Sequence, residues 1–435
     1  MERFALSRMK EWKENENRKP LIIRGARQVG KTWIMKTFGQ QYFEKTAYVN
    51  FDNNARMKQV FEGDLDIERL VLAISAETGV SIEAENTLII FDEIQEVPKA
   101  LTSLKYFHEN APQYAIVAAG SLLGVALHQG TSFPVGKVDF LDLYPLNFRE
   151  FLCAMGEKQF VSMLDSCDTQ MVTVFKTKYI ERLREYYFVG GMPEVVKDFS
   201  EKKDYNRVRA IQKNLINYYQ QDFSKHAEIK LVPRLNLVWN SIPMQLAKEN
   251  KKYIYGQVRE GSRAKDFELA IQWLLDCGLI HKVQRIQKPD LPLKAYIDFD
   301  AFKLFLVDIG LLIAMTDLDA KVIIEGNKIF TEFKGSLTEQ YILQQLISDV
   351  GVIPYYYSTQ NSKGEIDFLV QGKTSVIPIE VKAEENLKAK SLKAFCKKYQ
   401  PSYAVRTSMS DYREQDWMTN IPLYAIKWIE NYVNQ

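Results

Sequence analysis

The chain has 435 residues, of which 57 are Lys or Arg and 55 are Asp or Glu, giving a formal net charge of +2. Hydrophobic residues make up 46% and charged residues 26%, which is typical of globular proteins and excludes global disorder. The balanced charge argues against a uniformly basic protein that coats nucleic acid. At roughly 100–200 residues per domain, the length predicts about three domains.

The sequence carries no signal for export, membrane insertion or zinc binding. Its first 20 residues alternate charged and apolar types, and its longest apolar stretch, 115–127, is too short to cross a bilayer. The four histidines and four cysteines lie far apart, without zinc-ligand spacing or a disulfide framework. We therefore expect a cytoplasmic protein without a membrane contact, in which any metal site uses carboxylates.

A phosphate-binding pattern follows the first predicted strand. The apolar run 21–23 precedes Gly25-x-x-x-x-Gly30-Lys31-Thr32, the complete P-loop pattern, and a segment of helical periodicity follows. In such a loop, backbone amides and the helix N-terminus surround phosphate, the lysine reaches the β- and γ-phosphates, and the hydroxyl ligates magnesium. The predicted nucleotide site consists of Gly25, Ala26, Arg27, Gln28, Val29, Gly30, Lys31, Thr32 and Trp33.

Two further strand ends are candidates for the same site. The apolar strand 87–91 ends in Asp92 and Glu93; Asp92 is expected to hold magnesium with Thr32, and Glu93 to polarise the attacking water. The strand 114–120 ends at Ser121, which either senses the γ-phosphate or caps a following helix.

Four stretches, RGARQVGKT, TLIIFDEIQ, AAGSLLG and LYPLNFREFL, resemble a bacterial and archaeal family of AAA+-type P-loop ATPases. The resemblance implies a C-terminal region classed as a domain of unknown function. That family often has Gly-Arg before its PLxFxEF segment, where this chain has Gly136-Lys137. Arg149 is then either a substitute arginine sensor or, as we favour, part of a structural ion pair.

The middle of the chain contains a predicted elbow and a predicted winged helix. Gly190, Gly191 and Pro193 interrupt helical sequence and resemble the family's Gly-Gly-x-Pro-Glu turn. Further on, a helix between an N-cap at Ser262 and a stop at Gly278 is predicted by one apolar stripe of Phe267, Ala270, Ile271, Leu274 and Leu275. A strand, a Pro-containing loop and a second strand follow, which is the element order of a winged helix. Such a module either binds DNA or only packs against protein. In the DNA-binding case we expect phosphate contacts from the basic residues Arg263, Lys265, Lys282 and Arg285.

The C-terminal third contains an ordered set of acidic residues and a lysine. Glu339 lies in a predicted helix, Asp367 in a strand after a Gly364 turn, and Glu380 and Lys382 on one face of the next strand. This order resembles the PD-(D/E)xK nuclease fold, and the resemblance implies that Glu339, Asp367 and Glu380 bind magnesium.

The same resemblance implies that Asp367, Glu380 and Lys382 are catalytic. Glu365 is expected to face outward or to be auxiliary. The lysine-rich helix predicted within 382–400 is either a solvated face or a path for a phosphate backbone.

The predicted fold class is α/β, with a P-loop AAA+ parallel-sheet domain at 1–155, a helical connector and winged helix at 156–295, and a nuclease-like α/β domain at 296–435. The predicted function is ATP hydrolysis with magnesium, coupled through the 190–193 elbow to a nuclease-like, DNA-interacting domain. The alternative is an ATP-dependent switch that binds protein or DNA partners without cutting. The expected cofactors are ATP and magnesium, and the sequence leaves an oligomer open.

Overall fold

The computed structural model describes residues 1–120, 124, 133–248, 251–324, 331–359, 364–385 and 389–435. These residues form two compact units. The N-terminal unit comprises residues 2–144 with the short segment 276–279, and the C-terminal unit comprises 145–275 and 280–435. Ser121, the predicted sensor residue, lies outside the described residues.

Five parallel strands form the sheet of the N-terminal unit, in the spatial order β2-β3-β4-β1-β5. The strands are β1 Leu21–Arg24, β2 Lys45–Asn50, β3 Thr87–Asp92, β4 Ala115–Ala119 and β5 Asp139–Asp142. The central strands β3 and β4 are buried along their whole length, as expected for parallel strands covered on both faces. Because β1 and β3 lie on either side of β4 and run parallel to it, the loops that follow β1 and β3 lie at the same edge of the sheet.

Helices of the N-terminal unit connect and cover these strands. They are α1 Ala5–Glu14, α2 Lys31–Tyr42, α3 Ala55–Glu62, α4 Ile67–Thr78 and α5 Pro98–Asn110, with a 3-10 turn at Ile94–Glu96. Local sequence sets their ends: the Asp66 side chain caps α4 by accepting from Arg69 N, and Gly79 ends it in the left-handed region. Edge-to-face contacts among Phe51, Phe61 and Phe91 fill the core of this unit.

The first part of the C-terminal unit is helical. Its helices are α6 Phe148–Ala154, α7 Lys158–Asp165, α8 Thr169–Val174, α9 Lys176–Val189, α10 Pro193–Lys202, α11 Tyr205–His226, α12 Val232–Leu246, α13 Tyr255–Val258 and α14 Ala264–Asp276. A complete capping box starts α6, in which Asn147 and Glu150 satisfy each other's backbone amides. The helix predicted between Ser262 and Gly278 is present as α14.

The second part of the C-terminal unit contains an eight-stranded mixed sheet in the order β12-β13-β11-β10-β9-β8-β6-β7. Its strands are β6 Ile280–Ile286, β7 Ile297–Leu306, β8 Tyr355–Ser358, β9 Glu365–Gln371, β10 Val376–Val381, β11 Val405–Ser408, β12 Arg413–Gln415 and β13 Met418–Pro422. The helices are α15 Ile309–Met315, α16 Ala320–Ile324, α17 Thr331–Gln345, α18 Lys390–Tyr399 and α19 Glu430–Val433. A π-helical turn covers Leu346–Val350, and 3-10 segments cover Leu293–Tyr296 and Leu423–Ile429.

The predicted boundary at 295/296 falls inside this sheet. The antiparallel pair β6 and β7 matches the two strands expected of a winged helix, but β6 also pairs with β8 through Arg285 and Ile286. The two predicted domains therefore share one sheet in the structure. Among the described residues, no helix is both long and apolar enough to cross a membrane.

Candidate nucleotide site and the C-terminal acidic cluster

The loop between β1 and α2 has the backbone of a phosphate-binding loop. Gly25 has φ +148°, and a Cβ there would lie 2.1 Å from the Leu143 carbonyl oxygen. Gly30 has φ +97° and precedes the first residue of α2. Both positions therefore require glycine, and α2 points its N-terminus at the loop, where an anion is favoured.

Lys31 is buried against the loop that it is expected to serve. Its Nζ donates to the carbonyl oxygens of Gly25 and Ala26, both at 2.8 Å. Burial lowers the pKa of Lys31 to about 8, and the nearby carboxylates of Glu93 and Asp92 offset only part of this effect. Lys31 is therefore fixed in the loop by these two hydrogen bonds, and its ammonium group loses a proton more easily than that of a lysine in water.

The two acidic-strand residues lie where the sequence predicted them. Thr32 Oγ1 donates to Asp92 Oδ2 at 2.7 Å, across 60 residues of sequence. Glu93 follows directly with φ +51°, and its Oε2 accepts from Gln95 Nε2 at 2.7 Å. A hydroxyl and a carboxylate at this distance, beside a helix N-terminus, fit a magnesium ion with nucleotide phosphates.

Two residues support the site without having been predicted. Tyr48 donates its hydroxyl to Asp92 Oδ2 at 2.9 Å, and burial and the charge of Asp92 raise the pKa of Tyr48, so the hydroxyl stays a donor. Arg3 donates to the Val29 carbonyl oxygen at 3.0 Å and so holds the loop from outside. No local motif marks either residue. Tyr48 reaches Asp92 because β2 pairs with β3, and this pairing is not marked in the sequence.

Two residues that bear on an arginine sensor are engaged in ion pairs within their own units: Arg149, the candidate substitute, and Lys137, which stands where the family often has arginine. Arg149 contacts Asp349, with Nη2 3.1 Å from Oδ1, and also pairs with Asp165. Lys137 Nζ lies 3.0 Å from Glu109 Oε1. The structural ion pair favoured for Arg149 is therefore observed.

The predicted elbow is buried and hydrogen-bonded rather than loose. Gly191 N donates to Asp308 Oδ2 at 2.6 Å, and its carbonyl accepts from Leu146 N at 2.7 Å. Gly190 has φ +72°, and a Cβ there would lie 2.2 Å from Asp308 Oδ1. Burial raises the pKa of Asp308 to about 6, although backbone amides oppose this shift. These contacts fix the junction between α9, α10 and α15, which argues against a freely moving hinge.

The C-terminal acidic cluster consists of Glu339, Glu365 and Asp367 and surrounds Lys303. Lys303 Nζ pairs with Glu365 and lies 3.7 Å from Glu339 Oε2. Glu365, which was expected to face outward or to be auxiliary, pairs with Lys303. The signal for Lys303 was a single lysine in the apolar strand AFKLFL, since a lysine is rarely buried without a partner.

Charge and burial oppose each other at this cluster. Burial and the charge of Glu339 raise the pKa of Asp367 to about 7, while Lys303 and Lys251 act in the other direction. For Glu339, burial alone would raise the pKa, but Lys251 and Lys303 outweigh it and the pKa is lowered. Burial likewise tends to lower the pKa of Lys303, but the three carboxylates outweigh it, and the pKa is raised.

Glu380 and Lys382 are bonded to each other. Glu380 Oε1 lies 2.7 Å from Lys382 Nζ, and Glu380 Oε2 accepts from Leu392 N in the first turn of α18 at 3.2 Å. Asp367 Oδ2 accepts from Val381 N at 2.7 Å. Within the described ranges, no group of three or more His, Cys, Asp or Glu side chains is arranged to hold a metal.

The basic residues expected at a DNA backbone divide into two pairs. Arg263 and Lys265 are exposed at the start of α14. Arg285 is paired with Asp298, and Lys282 Nζ lies 4.3 Å from the centre of the Phe302 ring. Among the described residues, the side chains of Arg263 and Lys265 form no ion pair that would compete with phosphate, whereas Arg285 and Lys282 are engaged.

Comparison with known families identifies the N-terminal part. Residues 17–152 match the model of a family described as an AAA domain. Residues 180–322 match a domain of unknown function (DUF8612), and residues 334–426 match another (DUF4143). Together with the five-stranded parallel sheet and the loop geometry, the first match supports a P-loop ATPase fold of the AAA type for residues 17–152.

Solved structures with similar folds are distant. A Walker-type ATPase of Pyrococcus abyssi is 15% identical, with a TM-score of 0.44, over 72% of this chain and 95% of that one. The ORC1 protein of Aeropyrum pernix in complex with DNA is 14% identical (TM-score 0.27; 72% and 91% covered). The RuvB Holliday junction branch migration motor of Thermotoga maritima is 12% identical (TM-score 0.29; 64% and 87% covered). No curated protein matches the chain significantly, and these similarities assign it no activity.

Proposed function

We propose that the chain binds ATP with magnesium at residues 25–33 and hydrolyses it. The observation that carries this proposal is the 2.7 Å hydrogen bond from Thr32 to Asp92, because it joins the P-loop to the acidic strand end. Thr32 and Asp92 would hold the magnesium ion, which would supply positive charge to neutralise the phosphate oxygens. The chain supplies the remaining contacts.

Each protein group has a distinct part in this reaction. Lys31 exchanges its bonds to the Gly25 and Ala26 carbonyl oxygens for bonds to the β- and γ-phosphates. The amides of residues 25–33 and the N-terminus of α2 orient the phosphate chain. Glu93, steadied by Gln95, orients and polarises the attacking water.

Magnesium-dependent release of phosphate from ATP tests this proposal. We expect turnover by the wild type and its loss in Lys31→Ala, because removing the ammonium removes stabilisation of transition-state charge. Lys10→Ala is the matched control, since Lys10 is an exposed lysine of α1 whose ion pair with Glu14 is on the surface. Equal turnover in the wild type and Lys31→Ala would contradict the assignment.

For the C-terminal unit the candidates are a nuclease-like domain that acts on DNA and a partner-binding domain controlled by ATP. The second is favoured by Glu380, whose two carboxylate oxygens are engaged by Lys382 and by Leu392 N. A catalytic carboxylate needs at least one oxygen for a metal or a water. The favoured role is therefore an ATP-dependent switch that binds DNA or protein without cutting.

Plasmid and single-stranded DNA, incubated with the protein and magnesium with and without ATP, separate the two candidates. The switch predicts no cleavage and a nucleotide-dependent gel shift. If DNA is the partner, the shift weakens in the double variant Arg263→Ala/Lys265→Ala and persists in Lys282→Ala. Cleavage that Glu380→Gln abolishes would support the nuclease instead.

A further inference from the structure

Lys303 lies fully buried in the middle of β7, with 0% of its surface exposed. Its neighbours along the strand, Phe302 and Leu304, are also buried. An ammonium group in such a place is very unfavourable unless opposite charge neutralises it. The surroundings of its Nζ atom therefore explain why a lysine is tolerated at this position.

Those surroundings form a cage for a cation. The ammonium group pairs with Glu365 Oε1, lies 3.7 Å from Glu339 Oε2, and is 4.8 Å from the centre of the Tyr356 ring. Carboxylates and an aromatic face are the groups that stabilise a buried cation. A second lysine, Lys251, pairs with the other oxygen of Glu339, Oε1.

Two of the three carboxylates that a divalent ion would need, those of Glu339 and Glu365, are therefore already paired with lysine. A magnesium ion requires several oxygen ligands in near-octahedral geometry. Placed among Glu339, Glu365 and Asp367, it would stand beside the ammonium groups of Lys303 and Lys251 and be repelled by both. Asp367 also gives one oxygen to Val381 N, so the residues present do not fit a metal ion.

We propose that the Lys303 ammonium group is the built-in cation of the C-terminal acidic cluster, so that the cluster takes no divalent metal. Removing the Lys303 side chain leaves Glu339, Glu365 and Asp367 without the cation that they share, and we expect these carboxylates to rearrange around a divalent cation in its place. Glu339 Oε2, which is buried and accepts no hydrogen bond among the described residues, then becomes an available ligand. This proposal does not depend on ATP hydrolysis in the N-terminal unit.

Binding of Mn²⁺ alone to the nucleotide-free full chain tests the proposal. The number of bound Mn²⁺ ions per chain is measured by electron paramagnetic resonance. All variants carry Thr32→Ala, which removes a ligand from the P-loop site. On this background we expect no bound Mn²⁺ that depends on the cluster. Adding Lys303→Ala raises the stoichiometry by one ion per chain, and adding Asp367→Asn to Lys303→Ala removes that ion again.

The controls separate the proposal from a general effect of losing a lysine. Lys282→Ala removes a lysine of the neighbouring strand β6 that is not among the groups paired with the cluster, and we expect no added site. An Mn²⁺ site in the Thr32→Ala chain that Glu339→Gln abolishes would overturn the proposal, and this arm does not require Lys303 to be changed. A folded Lys303→Ala chain, verified by circular dichroism, that gains no Mn²⁺ would overturn it as well.

Discussion

Tyr48 donates its hydroxyl to Asp92 Oδ2 at 2.9 Å, the same oxygen that accepts the hydroxyl of Thr32 at 2.7 Å. One carboxylate oxygen thus receives donors from β2 and from α2. Since Asp92 is the expected magnesium partner, Tyr48 fixes the direction in which this carboxylate presents its second oxygen. A positioning role for Tyr48 follows from this arrangement.

Tyr48→Phe should weaken the use of magnesium without unfolding the protein. The variant keeps the ring, over which Lys36 lies at 3.8 Å, and loses only a hydrogen bond to a charged group, worth roughly 1.5–3 kcal/mol. We expect the magnesium concentration for half-maximal ATPase activity to rise by up to roughly 10–150-fold. Tyr106→Phe, at a tyrosine of α5 in the same unit, should leave it unchanged. An unaltered magnesium titration in Tyr48→Phe would refute the positioning role.

The pH dependence of ATP binding should report the protonation of Lys31. Its pKa of about 8 in the nucleotide-free protein lies below the ordinary value because of burial. ATP binds the protonated form, so affinity is fully present below pH 8 and is lost as pH rises through that value. Above it, the Kd of a non-hydrolysable ATP analogue should rise up to about tenfold per pH unit.

The matched comparison for this profile is Lys31→Arg, because a guanidinium group does not deprotonate in this range. Its affinity is expected to be lower but flat between pH 7.5 and 9.5, measured by calorimetry with saturating magnesium. A wild-type profile that is equally flat would show that Lys31 stays charged throughout and would contradict the prediction.

The sequence predicts local features far better than features that depend on distant contacts. The strand ending at Asp92 and its position beside Thr32 follow from a motif whose parts have fixed geometry. Tyr48 and Lys303 carry no motif, and their roles arise only from strand register and from side chains brought in from other elements. For the same reason, the pairing of β6 with β8 was not visible in a pattern that suggested a separate winged helix.

Arg149→Ala should destabilise the chain without a specific effect on ATP turnover. Its partner Asp349 is buried, and burial raises the pKa of Asp349 to about 6 although Arg149 and Lys427 oppose the shift. Removing the guanidinium group leaves this carboxylate without its main partner, which costs about 3–5 kcal/mol. Urea unfolding measures this loss, and turnover is compared per folded molecule.

Arg207→Ala provides the comparison for a surface ion pair. Arg207 is exposed and bonded to Asp198 at 2.7 Å. Because water and salt screen such a surface pair, we expect a much smaller loss of stability than in Arg149→Ala. A stable Arg149→Ala variant with strongly reduced ATP turnover would instead favour the arginine-sensor interpretation of this residue.

Gly190→Ala should be one of the most damaging small substitutions in the C-terminal unit. Its φ of +72° already disfavours any side chain, and the added Cβ would meet Asp308 Oδ1 at 2.2 Å. Gly351 has a similar φ of +79° but has nothing within 4 Å of an added Cβ. Gly351→Ala therefore measures only the cost of placing a side chain on a left-handed backbone, about 1 kcal/mol of unfolding free energy.

The difference between the two variants isolates the packing of the junction. Overpacking a rigid site costs roughly 1–3 kcal/mol, so Gly190→Ala should lose that much more stability than Gly351→Ala in urea unfolding. If the 190–193 segment were a flexible elbow, it would move aside and the two variants would be equally stable. Equal losses would therefore restore the hinge that the sequence suggested, whereas the expected gap supports a junction fixed by Asp308.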